Sequence, residues 1–88
     1  MIRDFVNGAT KGKAGNLYIE DDKLFNYNTC IAERWDKIGG QEYGFVVNVT
    51  KYSMSTTIQN QLIRLLEHDP MVKYIAQLPM GVDSLIAE

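Results

Sequence analysis

The apolar and polar positions fall into short alternating runs, followed by one stretch with helical spacing. Leu17-Tyr18-Ile19-Glu20 alternates, with Leu17 and Ile19 on one side and Tyr18 and Glu20 on the other, as in a half-buried strand. Asp21-Asp22 reads as a turn and Lys23 to Tyr27 as the returning strand, so residues 17–27 predict a hairpin. Asn28-Thr29 reads as a bulge or second tight turn, and Cys30 to Trp35 as another strand. A loop with Gly39-Gly40 follows. Glu42 to Tyr52 is the longest extended run, with Tyr43, Phe45, Val47 and Val49 on one face and Val46, Asn48 and Thr50 on the other. Val46 interrupts an otherwise polar second face, so burial of one side is expected.

The period changes after Tyr52. Ser53-Met54-Ser55-Thr56 predicts a turn, and a helix from about Thr57 to His68 places Ile58, Leu62, Leu65 and Leu66 on one face and Asn60, Arg64 and Glu67 on the other. Thr56-Thr57-Ile58-Gln59 fits a capping box, and Pro70 ends the helix. Residues 71–79 are ambiguous. Asp69-Pro70 favours a second helix with Val72, Ile75 and Ala76 inward, and an edge strand is the alternative. At the start, residues 2–7 predict a helical turn or arm, and three glycines in residues 7–16 predict a flexible loop. Residues 80–88 read as a loose tail or a short turn. The expectation is one α+β domain over residues 1–88: a three- to four-stranded antiparallel meander with one amphipathic helix packed on one face.

Composition narrows the class. A chain of 88 residues with 45% hydrophobic and 23% charged residues is globular rather than disordered. The net charge of −2 argues against a protein whose main task is non-specific grip on nucleic acid. Cys30 is the only cysteine, which excludes an internal disulfide and fits a reducing cytoplasm. There is no signal-peptide pattern and no run long enough to span a bilayer, so no membrane association is expected.

The usual catalytic and metal signatures are weak. Gly12-Lys13 superficially resembles a phosphate-binding loop, but the Gly8-to-Gly12 spacing is one residue short, Ala14 replaces the hydroxyl residue, and no strand precedes it. His68 reads as a surface histidine and Cys30 as a buried thiol. Glu20-Asp21-Asp22 lacks the ligand spacing of a calcium loop and reads as a solvated turn. No cofactor, metal site or enzymatic activity is expected.

Two features point to binding. Between Tyr43 and Leu66 the charges are Lys51 and Arg64 alone, both positive. An anionic partner near Lys51, Tyr52, Ser55, Thr56 and Thr57, at a helix N-terminus, is one reading, with Asn60 and Arg64 on the helix's outer face. The other is that those hydroxyls simply cap the helix. The second feature is aromatic: Tyr18, Tyr27, Trp35, Tyr43 and Tyr52 sit at or near strand positions. They predict either an exposed sheet platform, with self-association into a dimer as a consequence, or part of a small core.

Leu17 to Arg34 followed by Phe45 to Gln61 resembles a family of small domains of unknown function found in bacteriophages, mobile elements and their bacterial hosts. The motif Tyr27-Asn28-Thr29-Cys30-Ile31-Ala32-Glu33-Arg34, then Asn48-Val49-Thr50-Lys51-Tyr52-Ser53, then Thr57 and Gln59 carry the resemblance, which covers about residues 16–66. It implies a phage-like setting and supplies no catalytic residue. The functional expectation is a small non-enzymatic protein that binds a host or phage protein, as an inhibitor of a bacterial defence system. The alternative is a nucleic-acid-binding accessory protein that also uses Lys11 and Lys13.

Overall fold

The computed structural model describes residues 1–36, 43–52 and 57–85. The chain is α+β, and its sheet is larger than the pattern predicts. Six strands run in the order of the sequence: β1 (Lys11–Ala14), β2 (Leu17–Glu20), β3 (Lys23–Asn26), β4 (Thr29–Asp36), β5 (Tyr43–Asn48) and β6 (Val72–Ile75). Helix α1 (Ile2–Val6) precedes the sheet, and α2 (Thr57–Leu66) connects β5 to β6. The first five strands form an antiparallel meander, but β6 lies parallel to β5, so the sheet is mixed rather than purely antiparallel.

Both extra strands correct the reading of the sequence, and each has a physical cause. Lys11–Ala14 carries no apolar alternation, so Gly12 within it and Gly8 and Gly15 on either side predict a loop. It becomes a strand by pairing with β2 in register Gly12↔Ile19 and Ala14↔Leu17, through backbone bonds that require no apolar side chain. Within residues 71–79, Val72–Ile75 form a strand, and no helix forms there. The far edge of β5 would otherwise present bare amides. Instead Phe45 N–H donates to the Met71 carbonyl at 3.1 Å and Val49 N–H to the Ile75 carbonyl at 2.7 Å. Asp69 does cap, as its sequence position suggests, by accepting from Met71 N–H at 2.9 Å.

The core lies on one face. Leu17, Ile19, Leu24, Ile31, Phe45 and Val47 point from the sheet toward Phe5 of α1 and Leu62 and Leu66 of α2. Between β3 and β4 the register shifts, with Leu24 opposite Ala32 and Phe25 opposite Cys30. This bulge lets Ile31 and Ala32 both enter the core and turns Arg34 toward α1. The helix stripe is rotated from the predicted one. Gln59, Leu62 and Leu66 are buried, whereas Leu65 is 37% exposed.

The second face is covered from β3 to β5. Val46 and Asn48 are buried along with Phe25 and Cys30. The segment after β6 crosses this side, which corrects the expectation of a loose tail for residues 80–85; the last three residues lie outside those described. Cys30 N–H donates to the Val82 carbonyl at 2.7 Å, Gly81 N–H to Thr29 Oγ1 at 2.9 Å, and Leu85 N–H to Glu33 Oε1 at 2.9 Å. These bonds bind the C-terminal segment to the beginning of β4.

Candidate binding surfaces

The described residues among those singled out in the sequence lie on several elements. Lys51 and Tyr52 follow β5, and Thr57 opens α2; Ser55 and Thr56, with the rest of the Ser53–Thr56 turn, lie outside the described residues. Lys51 and Thr57 are exposed. Tyr52 is half-buried, and its hydroxyl accepts from Asn48 Nδ2 at 2.8 Å and donates to the Pro79 carbonyl at 3.3 Å. It ties the tail to the sheet rather than facing a partner. Asn60 and Arg64 are exposed on the outer side of α2.

The described aromatic side chains are spread over different parts of the sheet. Trp35 is half-buried, with its indole against Gly44, where an added Cβ would approach ring carbons to 2.8 Å. Tyr18 stacks on Phe25 with centroids 5.0 Å apart and planes 11° from parallel. Tyr27 is 51% exposed, in the β3–β4 turn. Six residues of β4 separate that turn from Trp35, roughly 20 Å of strand. The Tyr43 side chain lies outside what is described.

Polar residues that hold these elements include two whose roles the pattern did not show. Asn48 is fully buried and donates through Nδ2 to the Cys30 carbonyl at 3.2 Å, while its Oδ1 accepts from Thr50 N–H at 3.0 Å. Gln59 faces inward and donates through Nε2 to the Asn48 and Thr50 carbonyls, at 2.8 and 3.0 Å. The only sequence signal is spacing: Gln59 is in phase with Leu62 and Leu66. Cys30 is fully buried, and burial pushes its thiol up to about 12, helped by the neighbouring Glu33 carboxylate. The thiol therefore stays protonated and is a poor nucleophile at neutral pH. His68 stands exposed beyond the end of α2. Among the described residues no three His, Cys, Asp or Glu side chains converge as metal ligands. No described helix is long and apolar enough to cross a membrane.

Two concavities are lined by residues able to bind. The larger, about 630 Å3, opens between α1 and α2 above Leu17. Ile2, Ile58 and Leu65 give it apolar walls; Arg3 and Arg64 bring a guanidinium from each helix, and Gln61 adds an amide. No carboxylate is among the described residues lining it. Its volume is in the range of about 300–1,000 Å3 usual for ligand clefts.

The smaller concavity, about 220 Å3, lies at the end of the sheet where the β1–β2 and β3–β4 turns meet. Lys13, Asn16, Tyr18, Tyr27 and Asn28 line it, with Gly15 in the turn.

No family model, curated protein or solved structure matches this chain.

Proposed function

We propose that the chain is a non-enzymatic protein-binding module that engages a bacterial host protein in the cytoplasm through the groove between α1 and α2. The observation that carries this reading is the composition of that groove. It combines apolar side chains, of which Leu65 is exposed and Ile2 and Ile58 are half-buried, with an arginine on either helix and no carboxylate among the described lining residues. The chain as a whole has a net charge of −2, so the arginine pair is a local reversal of sign. Such a surface complements an amphipathic segment whose apolar ridge is flanked by Asp or Glu. Apolar anchors would supply affinity, and the charges register and association rate. The resemblance to domains of phages and mobile elements supports a host target, with inhibition of a defence protein as the consequence.

The test is recovery of partners from bacterial lysate by the tagged chain, run beside Leu65→Asp and Arg64→Glu. Both positions are exposed, so both variants keep the fold, which circular dichroism verifies. A partner retained by the native chain and lost by both variants supports the proposal. No partner above background, or equal recovery by the variants, overturns it.

A further inference from the structure

The smaller concavity is separate from the groove between α1 and α2, and no lining residue is shared between them. It is built from two tight turns side by side. In the β1–β2 turn Gly15 takes φ +63. In the β3–β4 turn Tyr27 and Asn28 take φ +52 and +63, the left-handed pair that a two-residue hairpin of this twist requires. The turns are joined by Tyr27 N–H donating to the Asn16 carbonyl at 3.0 Å.

Tyrosine is the wrong residue for that position if stability alone decides. Asn or Gly enters the left-handed region with little strain, whereas a bulky aromatic does so rarely. The strain is not offset by packing, because Tyr27 is 51% exposed. Strained residues persist where they serve a site. The ring that results walls a concavity whose other groups have unused capacity. Tyr18 Oη donates to Asn28 Oδ1 at 3.2 Å, which leaves the Asn28 amide hydrogens and the Tyr18 lone pairs free. Lys13 makes no ion pair among the described residues; Lys11, two positions along the same strand face and outside the lining, lies opposite Glu20.

We propose that this concavity binds a nucleotide. The base stacks on the Tyr27 ring, the Asn16 and Asn28 amides meet its polar edge, and Lys13, with Lys11 behind it, takes the phosphate. A volume of about 220 Å3 lies below the usual range for drug-sized ligands, which suits one ring and excludes a folded peptide element. Stacking on an exposed aromatic beside lysines is the chemistry of single-stranded nucleic-acid sites, and it accepts a free nucleotide equally. The chain's net charge of −2 favours one local contact over a long electrostatic track.

The experiment is a titration of the 15N-labelled full chain with nucleoside monophosphates in one arm and an oligodeoxythymidine in the other. The expected result is movement of the Gly15, Asn16, Tyr27 and Asn28 amides. Saturation by monophosphates identifies a free nucleotide as the ligand, and saturation by the oligonucleotide alone identifies a single strand. Tyr27→Asn, which suits the turn and keeps the chain folded, weakens binding about tenfold. Lys13→Ala weakens it severalfold and flattens its salt dependence. The proposal is overturned if these amides respond to neither probe, if Tyr27→Asn binds as tightly as the native chain, or if inorganic phosphate moves them as far as a nucleotide does.

Discussion

The Arg34 guanidinium lies over the Phe5 ring, 4.5 Å from its centroid, and joins α1 to the sheet. The same group donates to the Phe5 carbonyl, to the Ala9 and Asp21 carbonyls at 2.8 and 2.6 Å, and reaches the Asp22 carboxylate at 3.4 Å. One side chain therefore gathers the end of α1, the segment leading to β1 and the β2–β3 turn. Planarity matters, because it permits stacking and forked donation together. Arg34→Lys keeps the charge and loses the fork. Urea unfolding should show a loss of about 1–2 kcal/mol for Arg34→Lys and about 2–3 kcal/mol for Arg34→Ala. Equal stability of the native chain and Arg34→Ala would mean that α1 docks without it.

Tyr27 gives the opposite sign. A left-handed conformation costs a residue with a Cβ about 1–2 kcal/mol, and Asn recovers much of that. Tyr27→Asn should raise stability by about 1 kcal/mol, which for a chain of this length raises Tm by about 4–8 °C. Scanning calorimetry measures the shift. A fall in Tm would show that the ring contributes more through contacts than its exposed position suggests.

Local pattern accounts for much of the fold and less of the candidate sites. The burial of Leu17 and Ile19 follows from simple alternation, and so does the inward face of Phe45 and Val47. Strand β6 was one of two readings of residues 71–79, and pattern alone could not choose it, since the deciding fact is a bare β5 edge supplied by distant residues. The rotation of α2 has a similar origin. Placing Gln59 inward and Leu65 outward sacrifices apolar burial, and it supplies donors to the Asn48 and Thr50 carbonyls where β5 ends. Arg64 stood out through the missing acids around it. Arg3 did not, because its role beside Arg64 exists only once α1 lies against α2. Tyr27 was visible as an aromatic, but its strain depends on where the turn falls.

Gly44 marks a close approach. A Cβ there would overlap the Met71 carbonyl, the acceptor that begins β6 pairing, and would lie 2.8 Å from Trp35 ring carbons. Backbone on one side and an indole on the other leave little room to adjust. Gly44→Ala should cost about 3 kcal/mol and accelerate hydrogen exchange at Phe45 and Val49, whose amides bond to the β6 segment. Unchanged exchange there would show that β6 shifts with the new methyl group.

Cys30 predicts an alkaline limb in stability. Its thiol is pushed from 9.0 to about 12 in the fold, chiefly by burial. Below pH 9 the thiol is protonated in both states and contributes no slope. Between pH 9 and 12 the unfolded chain loses the proton while the folded chain keeps it, so stability falls as pH rises. The decline is at most about 1.4 kcal/mol per pH unit from this group. Tyrosines and lysines titrate in the same window, so the measurement is the difference between the native chain and Cys30→Ala. That difference should be flat from pH 6 to 8.5 and shrink above pH 9. A difference constant to pH 11 would place the thiol in a more solvated setting.

Asn48 joins more elements than its position in a predicted polar row suggested. Its amide donates to the Cys30 carbonyl and to Tyr52 Oη, its Oδ1 accepts from Thr50 N–H, and its own carbonyl takes Gln59 Nε2. Tyr52 passes the connection to Pro79, so one buried amide links β4, the end of β5, α2 and the C-terminal segment. Asn48→Ala removes the partner of the buried Cys30 carbonyl and of the part-buried Thr50 amide, at about 1–3 kcal/mol for a buried group left unpaired. Asn48→Asp keeps the acceptor for Thr50 but turns the group facing the Cys30 carbonyl into a second acceptor, so it should destabilise at least as much at pH 7. Lowering the pH to protonate the new carboxyl should recover part of that loss by restoring a donor. Denaturant unfolding of the native chain, Asn48→Ala and Asn48→Asp at pH 7 and pH 4 measures all three effects. If Asn48→Asp gains nothing on acidification relative to the native chain, the Asn48 amide is not acting as the donor that holds β4 to β5.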